Sequence, residues 1–144
     1  MFDIENLLMG IFLLYSLSAL ILGLKNKKNP FGLTPQFNLI SAFVWVDTIV
    51  FGAFFALASL LCLILQDFIL FLLIFSVFWT IRSIGEQMYW FNEQFALKHK
   101  NPPHTLWPSK FFKGEEVWIV MQIVLQCISV ISLISSVFLF SIWL

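Results

Sequence analysis

Three ionisable residues lie inside the apolar stretches of this chain: Asp47, Arg82 and Glu86. A charge in hydrocarbon is costly, so it turns toward a partner or a wet cavity, and it marks a place where function is to be sought. Two carboxylates and one guanidinium can do two kinds of work. They can pair across helices as a structural network, with Arg82 bridging Asp47 and Glu86, or they can bind a cation, a proton or a small polar ligand. Their sum leaves one negative charge over unless a carboxyl group takes up a proton, which desolvation favours.

The elements that must position them are set by composition. Of the 144 residues, 60% are hydrophobic and 11% charged, against about 25% charged in an ordinary soluble domain. So few polar side chains cannot clothe a water-facing surface, and the chain reads as an integral membrane protein with a single membrane domain over 1–144. Formal net charge is zero and gives no argument for a nucleic-acid partner. Four apolar segments, 5–24, 38–65, 68–97 and 115–144, are each long enough to span, since crossing takes about 20 residues. The expected fold is therefore all-α, a polytopic four-transmembrane-helix bundle. Only Gln66 and Asp67 separate the second and third segments. A single helix through both would far outrun a bilayer, so a tight hairpin is expected there, with Asp67 as N-cap of the third helix. The first segment lacks the basic flank of a signal peptide, having Asp3 and Glu5 in its place, and reads as a retained helix.

The two remaining connections, 25–37 and 98–113, hold all five prolines and every lysine. Proline ends helices, and short lysine-rich loops stay cytoplasmic. This predicts the N-terminus outside, both loops inside and the C-terminus outside, in a membrane of the plasma-membrane type. Trp90, Trp107 and Trp118 are expected near the inner interface and Trp143 near the outer one, as an aromatic belt. The tripeptide Lys28-Asn29-Pro30 returns as Lys100-Asn101-Pro102, each followed by a second proline and a phenylalanine, a faint sign of internal duplication.

In this frame Asp47 falls about ten residues, or ~15 Å, into the second helix, and Arg82 and Glu86 fall ~12 and ~6 Å beneath the interface near Trp90. Gln122 and Gln126 on the fourth helix reach ~10 and ~16 Å. Asp47, Arg82, Glu86, Gln122 and Gln126 thus make one expected polar layer in the inner half of the membrane. Arg82, Glu86, Tyr89 and Glu93 share a helical stripe, as do Gln122, Gln126, Ser129 and Ser136. Both stripes are expected to face the bundle interior, because polar groups facing lipid go unpaired.

Other candidates are weaker. His99 and His104 are too few for a metal site, and Cys62 and Cys127 read as small packing residues. The common motifs of hydrolysis, nucleotide binding and zinc proteolysis are absent, so neither a metal nor a cofactor is expected. Gly52 and Ala56 have the small-xxx-small spacing that lets helices approach closely. The leading expectation is a non-enzymatic membrane component acting through helix packing, with the lipid bilayer, a membrane-protein partner or a second copy as its company. The alternatives are a transporter or channel subunit using Asp47, Arg82 and Glu86, and an interfacial enzyme working with Arg82, Glu86, Tyr89 and Glu93.

Overall fold

A computed structural model describes residues 3–144. Four long helices dominate it: α1 (Ile4–Lys25), α2 (Trp45–Leu65), α3 (Phe68–Gln94) and α4 (Glu116–Trp143). The described residues form no strand beyond one isolated antiparallel bridge, Leu33 with Val44. All four helices are long and apolar enough to cross a membrane, and the chain has the all-α, four-helix class that its sequence predicts. At 1.5 Å per residue the shortest is still ~30 Å long, about the thickness of the hydrocarbon core. Two compact units are distinguished: the described residues up to Ile74 together with Ile142–Leu144, and Phe75–Ser141.

In the first unit α1 and α2 form a hairpin packed through small residues. Ser16, Ala19 and Gly23 of α1 are buried, as are Gly52, Ala56 and Ser59 of α2. A Cβ placed on Gly52 would lie 2.8 Å from the backbone nitrogen of Leu20 and 2.9 Å from the carbonyl oxygen of Ser16. The Gly52–Ala56 spacing therefore serves the approach of α1 to α2. Below it, Met9, Cys62 and Phe71 make an apolar cluster, where Phe12 meets Phe55 and Phe71 edge-on at 5.4 and 5.2 Å.

The turn between α2 and α3 follows the expectation. Gln66 adopts a left-handed conformation, φ 54°, and the Asp67 N–H donates back to the Cys62 carbonyl, closing α2. The Asp67 carboxylate then accepts from the Leu70 N–H at 2.8 Å, the N-cap bond. Its other oxygen accepts from the Trp143 indole N–H at 2.7 Å.

The start of α2 differs from the sequence expectation. Residues 38–44 are not part of it: Pro35–Ile40 is a 3-10 segment, Ser41 is left-handed at φ 55°, and α2 begins only at Trp45. Thr34 holds this loop shut, its N–H donating to the Phe43 carbonyl and its hydroxyl to the Ala42 carbonyl. Tyr15 of α1 anchors it from outside by donating to the Gln36 carbonyl at 2.8 Å.

The second unit consists of α3 from Phe75, the connection to α4, and α4 as far as Ser141. Its apolar core is Trp90, Trp118 and Leu125, with Leu106, Met121 and Ile128 around them. Trp90 and Trp118 are thus packing residues, whereas Trp107 and Trp143 are exposed.

Candidate functional site

The later start of α2 moves Asp47 into its first turn, so it is not about ten residues deep in the helix. There its carboxylate accepts from the Phe43 N–H at 3.2 Å, and its negative charge complements the positive end of the helix dipole. The bond joins the first turn of α2 to the loop that precedes it. Asp47 belongs to the first unit and the other members of the expected layer to the second.

Arg82 and Glu86 lie mid-helix on α3 and form an ion pair, Nη2 to Oε1, of 2.7 Å. The pair is made along one helix at i, i+4, the spacing that sets two side chains one above the other. Both side chains are partly buried, 23% and 14% exposed, so water screens the pair less than at an open surface.

Next to it runs a seam of small polar residues that joins α3 to α4. The Ser83 and Ser129 hydroxyls are 2.8 Å apart, and the Gln87 amide donates to the Ser129 hydroxyl at 2.6 Å. A turn further along, the Ser76 hydroxyl donates to the Ser132 carbonyl at 2.7 Å and accepts from the Ser136 hydroxyl at 3.0 Å. Serine suits the position because it lets backbones approach closely and also bonds its own helix. The hydroxyls of Ser83, Ser129, Ser132 and Ser136 each also lie within hydrogen-bond distance of a carbonyl three or four residues back, an alternative acceptor for the single hydrogen each carries. Ser129 and Ser136 were legible from the sequence as part of a stripe. Ser76, Ser83, Gln87 and Ser132 belong to the same seam, and their signal in the sequence is the seven-residue step from Ser76 to Ser83 and the spacing of Ser129, Ser132 and Ser136.

The seam ends in a clamp on the α3–α4 connection. Gln122 donates to the Gln94 side-chain carbonyl at 3.0 Å, a partner other than the expected layer. Glu93 is 5% exposed and accepts from the Asn101 N–H at 2.7 Å. Tyr89 accepts from the Asn101 side-chain amide through its hydroxyl oxygen, and the Trp118 indole N–H donates to the Asn101 carbonyl at 3.1 Å. His99 packs its ring on Trp118 at 4.3 Å and bonds the Glu93 carbonyl oxygen through Nδ1. The backbone N–H, the backbone carbonyl and the side-chain amino group of Asn101 are thereby engaged. Tyr89 and Glu93, expected at an interfacial reaction site, hold a loop in place. The first connection uses its related tripeptide differently: Gly32 donates to the Asn29 carbonyl, and Pro30 accepts from the Val46 N–H.

Gln126 differs from the rest. It is exposed on α4 and does not face the unit's interior. Among the described residues no group of three or more metal-ligating side chains assembles.

The class defined by these features is that of a protein with four helices able to span a membrane, its helices joined by small-residue and serine contacts. No protein-family model, curated protein or solved structure matches the chain.

Proposed function

We propose that this chain is a non-enzymatic membrane component that works through helix packing and association, with a partner membrane protein or with itself. The observation that carries this reading is the α3–α4 seam, in which hydroxyl and amide groups at span depth bond to one another. Each such contact in a membrane contributes about 0.6–2 kcal/mol, enough to select a packing partner and register. The charged residues fit the same purpose. Arg82 and Glu86 neutralise each other along α3, and Asp47 ties the first turn of α2 to the loop before it. Tyr89 and Glu93 secure the loop, which supports a structural role over an interfacial reaction.

The orientation we propose follows the lysines: residues 25–37 and 98–113 on the cytoplasmic side and both termini opposite. Impermeant thiol labelling of Lys110→Cys in a Cys62→Ser/Cys127→Ser background tests it. Labelling only after the cytoplasmic face is opened is expected, and labelling of sealed cells would reverse the orientation.

Association is tested by short amine-reactive crosslinking in intact membranes, using the loop lysines. Discrete species larger than the single chain are expected. A monomer throughout, together with cation flux in liposomes that Glu86→Gln abolishes, would replace this reading with a transport one.

A further inference from the structure

The connection between α1 and α2 is a fixed finger. The N–H groups of Trp45 and Val46, at the start of α2, donate to the carbonyls of Gly32 and Pro30 at 3.1 and 3.0 Å. The Gly32 N–H donates to the Asn29 carbonyl at 3.1 Å, and the Asn29 N–H to the Asn26 carbonyl at 2.9 Å. Gly32 lies against the Trp45 ring, where a Cβ would stand 2.8 Å from Cδ1. On either side of it Phe31 and Leu33 are 79% and 81% exposed. One exposed apolar residue needs no explanation. Two, held in place at the tip of a hydrogen-bonded finger, present a small apolar surface.

The finger is also basic. Lys25, Lys27 and Lys28 come directly before it and are all exposed. No acidic residue occurs between Glu5 and Asp47. Glu5 is ~30 Å from Lys25 along α1, and the Asp47 carboxylate accepts from the Phe43 N–H. Lys25 complements the negative end of α1, but that field falls off within the last turn, and Lys27 and Lys28 lie beyond it. The other connection differs. Glu115 and Glu116 follow directly on Lys110 and Lys113 and offset half of the charge of its four lysines.

We propose that this finger is a binding site for anionic phospholipid headgroups, with Lys25, Lys27 and Lys28 on the phosphates and Phe31 and Leu33 set into the interface beside them. A basic cluster and an apolar tip are the two signals that together make a stable surface anchor, where either alone is weak. The finger continues α1, a helix able to span the membrane, and so meets the membrane surface, where headgroup phosphate and apolar carbon lie within reach of one another. An acidic protein would match the lysines and leave Phe31 and Leu33 without apolar cover. The inference goes beyond the association reading and holds whether or not the chain self-associates.

The test uses the 144-residue chain in nanodiscs of palmitoyl-oleoyl phosphatidylcholine, with and without the phosphatidylglycerol of the same chains. Native mass spectrometry reads which lipid stays bound. Phosphatidylglycerol should be retained over phosphatidylcholine. Lys25→Gln/Lys27→Gln/Lys28→Gln should lower that preference by about fivefold for each lysine removed, and the three arginine replacements should keep it. Lys98→Gln/Lys110→Gln/Lys113→Gln, with the same loss of charge, should keep most of it. Phe31→Cys carrying bimane, in the Cys62→Ser/Cys127→Ser background, should be less quenched by iodide once phosphatidylglycerol is present, and the same label at the exposed Asn38 should change little. Unchanged circular dichroism establishes that each variant folds. No lipid preference, equal losses from the two sets of lysines, or equal quenching at position 31 in both lipids would overturn the site.

Discussion

Replacing Gly52 by alanine sets two known effects against each other. In a helix interior the change normally stabilises by up to about 1 kcal/mol, since glycine is the poorer helix former. At Gly52 the added Cβ meets the backbone of α1, at 2.8 Å from Leu20 N and 2.9 Å from Ser16 O. Backbone cannot rotate away as a side chain can, so α1 and α2 must separate by several tenths of an ångström along their closest approach. Overpacking of this kind costs about 1–3 kcal/mol. The expected net result is a loss of about 0–2 kcal/mol. Gly10 provides the control, because a Cβ there meets nothing within 4 Å, and Gly10→Ala should keep the propensity gain. Reversible unfolding in mixed micelles by SDS titration measures both. Gly52→Ala should fall below Gly10→Ala by about 1–3 kcal/mol, the overpacking cost alone. If Gly52→Ala is as stable as Gly10→Ala or more so, the close approach of α1 and α2 is wrong.

Further predictions concern the second unit and the turn. A double-mutant cycle of Ser76→Ala and Ser136→Ala should give a coupling of about 0.6–2 kcal/mol in the same unfolding assay; additivity would remove the Ser136–Ser76 bond from the seam. Glu93→Leu strips the acceptor from the partly buried Asn101 N–H and should cost about 1 kcal/mol. Glu93→Gln keeps an acceptor and should cost clearly less; equal losses would show that Glu93 acts by some other route. Asp67→Ala should cost about 1 kcal/mol through the lost N-cap, and Asp67→Asn little. Unfolding midpoints of the two variants that coincide would contradict the capping role.

What could be seen in the sequence was what local chemistry decides. Gln66 and Asp67 interrupt an apolar run too long for one bilayer crossing, and a carboxylate at that point is a ready cap. The start of α2 was hidden because 38–44 is as apolar as the helix that follows. Thr34 and the left-handed Ser41 break it through bonds across the loop, and no local pattern announces those. Facing was harder still. In a soluble helix the apolar stripe points inward, but here both faces of α4 are apolar, so polarity alone had to choose the side. That choice identified Ser129 and Ser136 and failed for Gln126, which the structure leaves exposed. Tyr89 and Glu93 fell on the expected stripe, yet their partner Asn101 lies in the connection, beyond the reach of helical periodicity.

The central claim, that this chain acts through association in the membrane, is tested most directly by its mass in the bilayer. Native mass spectrometry of protein extracted into lipid nanodiscs without detergent reads the complex before it can dissociate. The account predicts an assembly at a defined multiple of the 16.7 kDa chain, or one chain with a stoichiometric membrane partner. A spectrum holding only the 16.7 kDa species, at every concentration in the membrane, would contradict it.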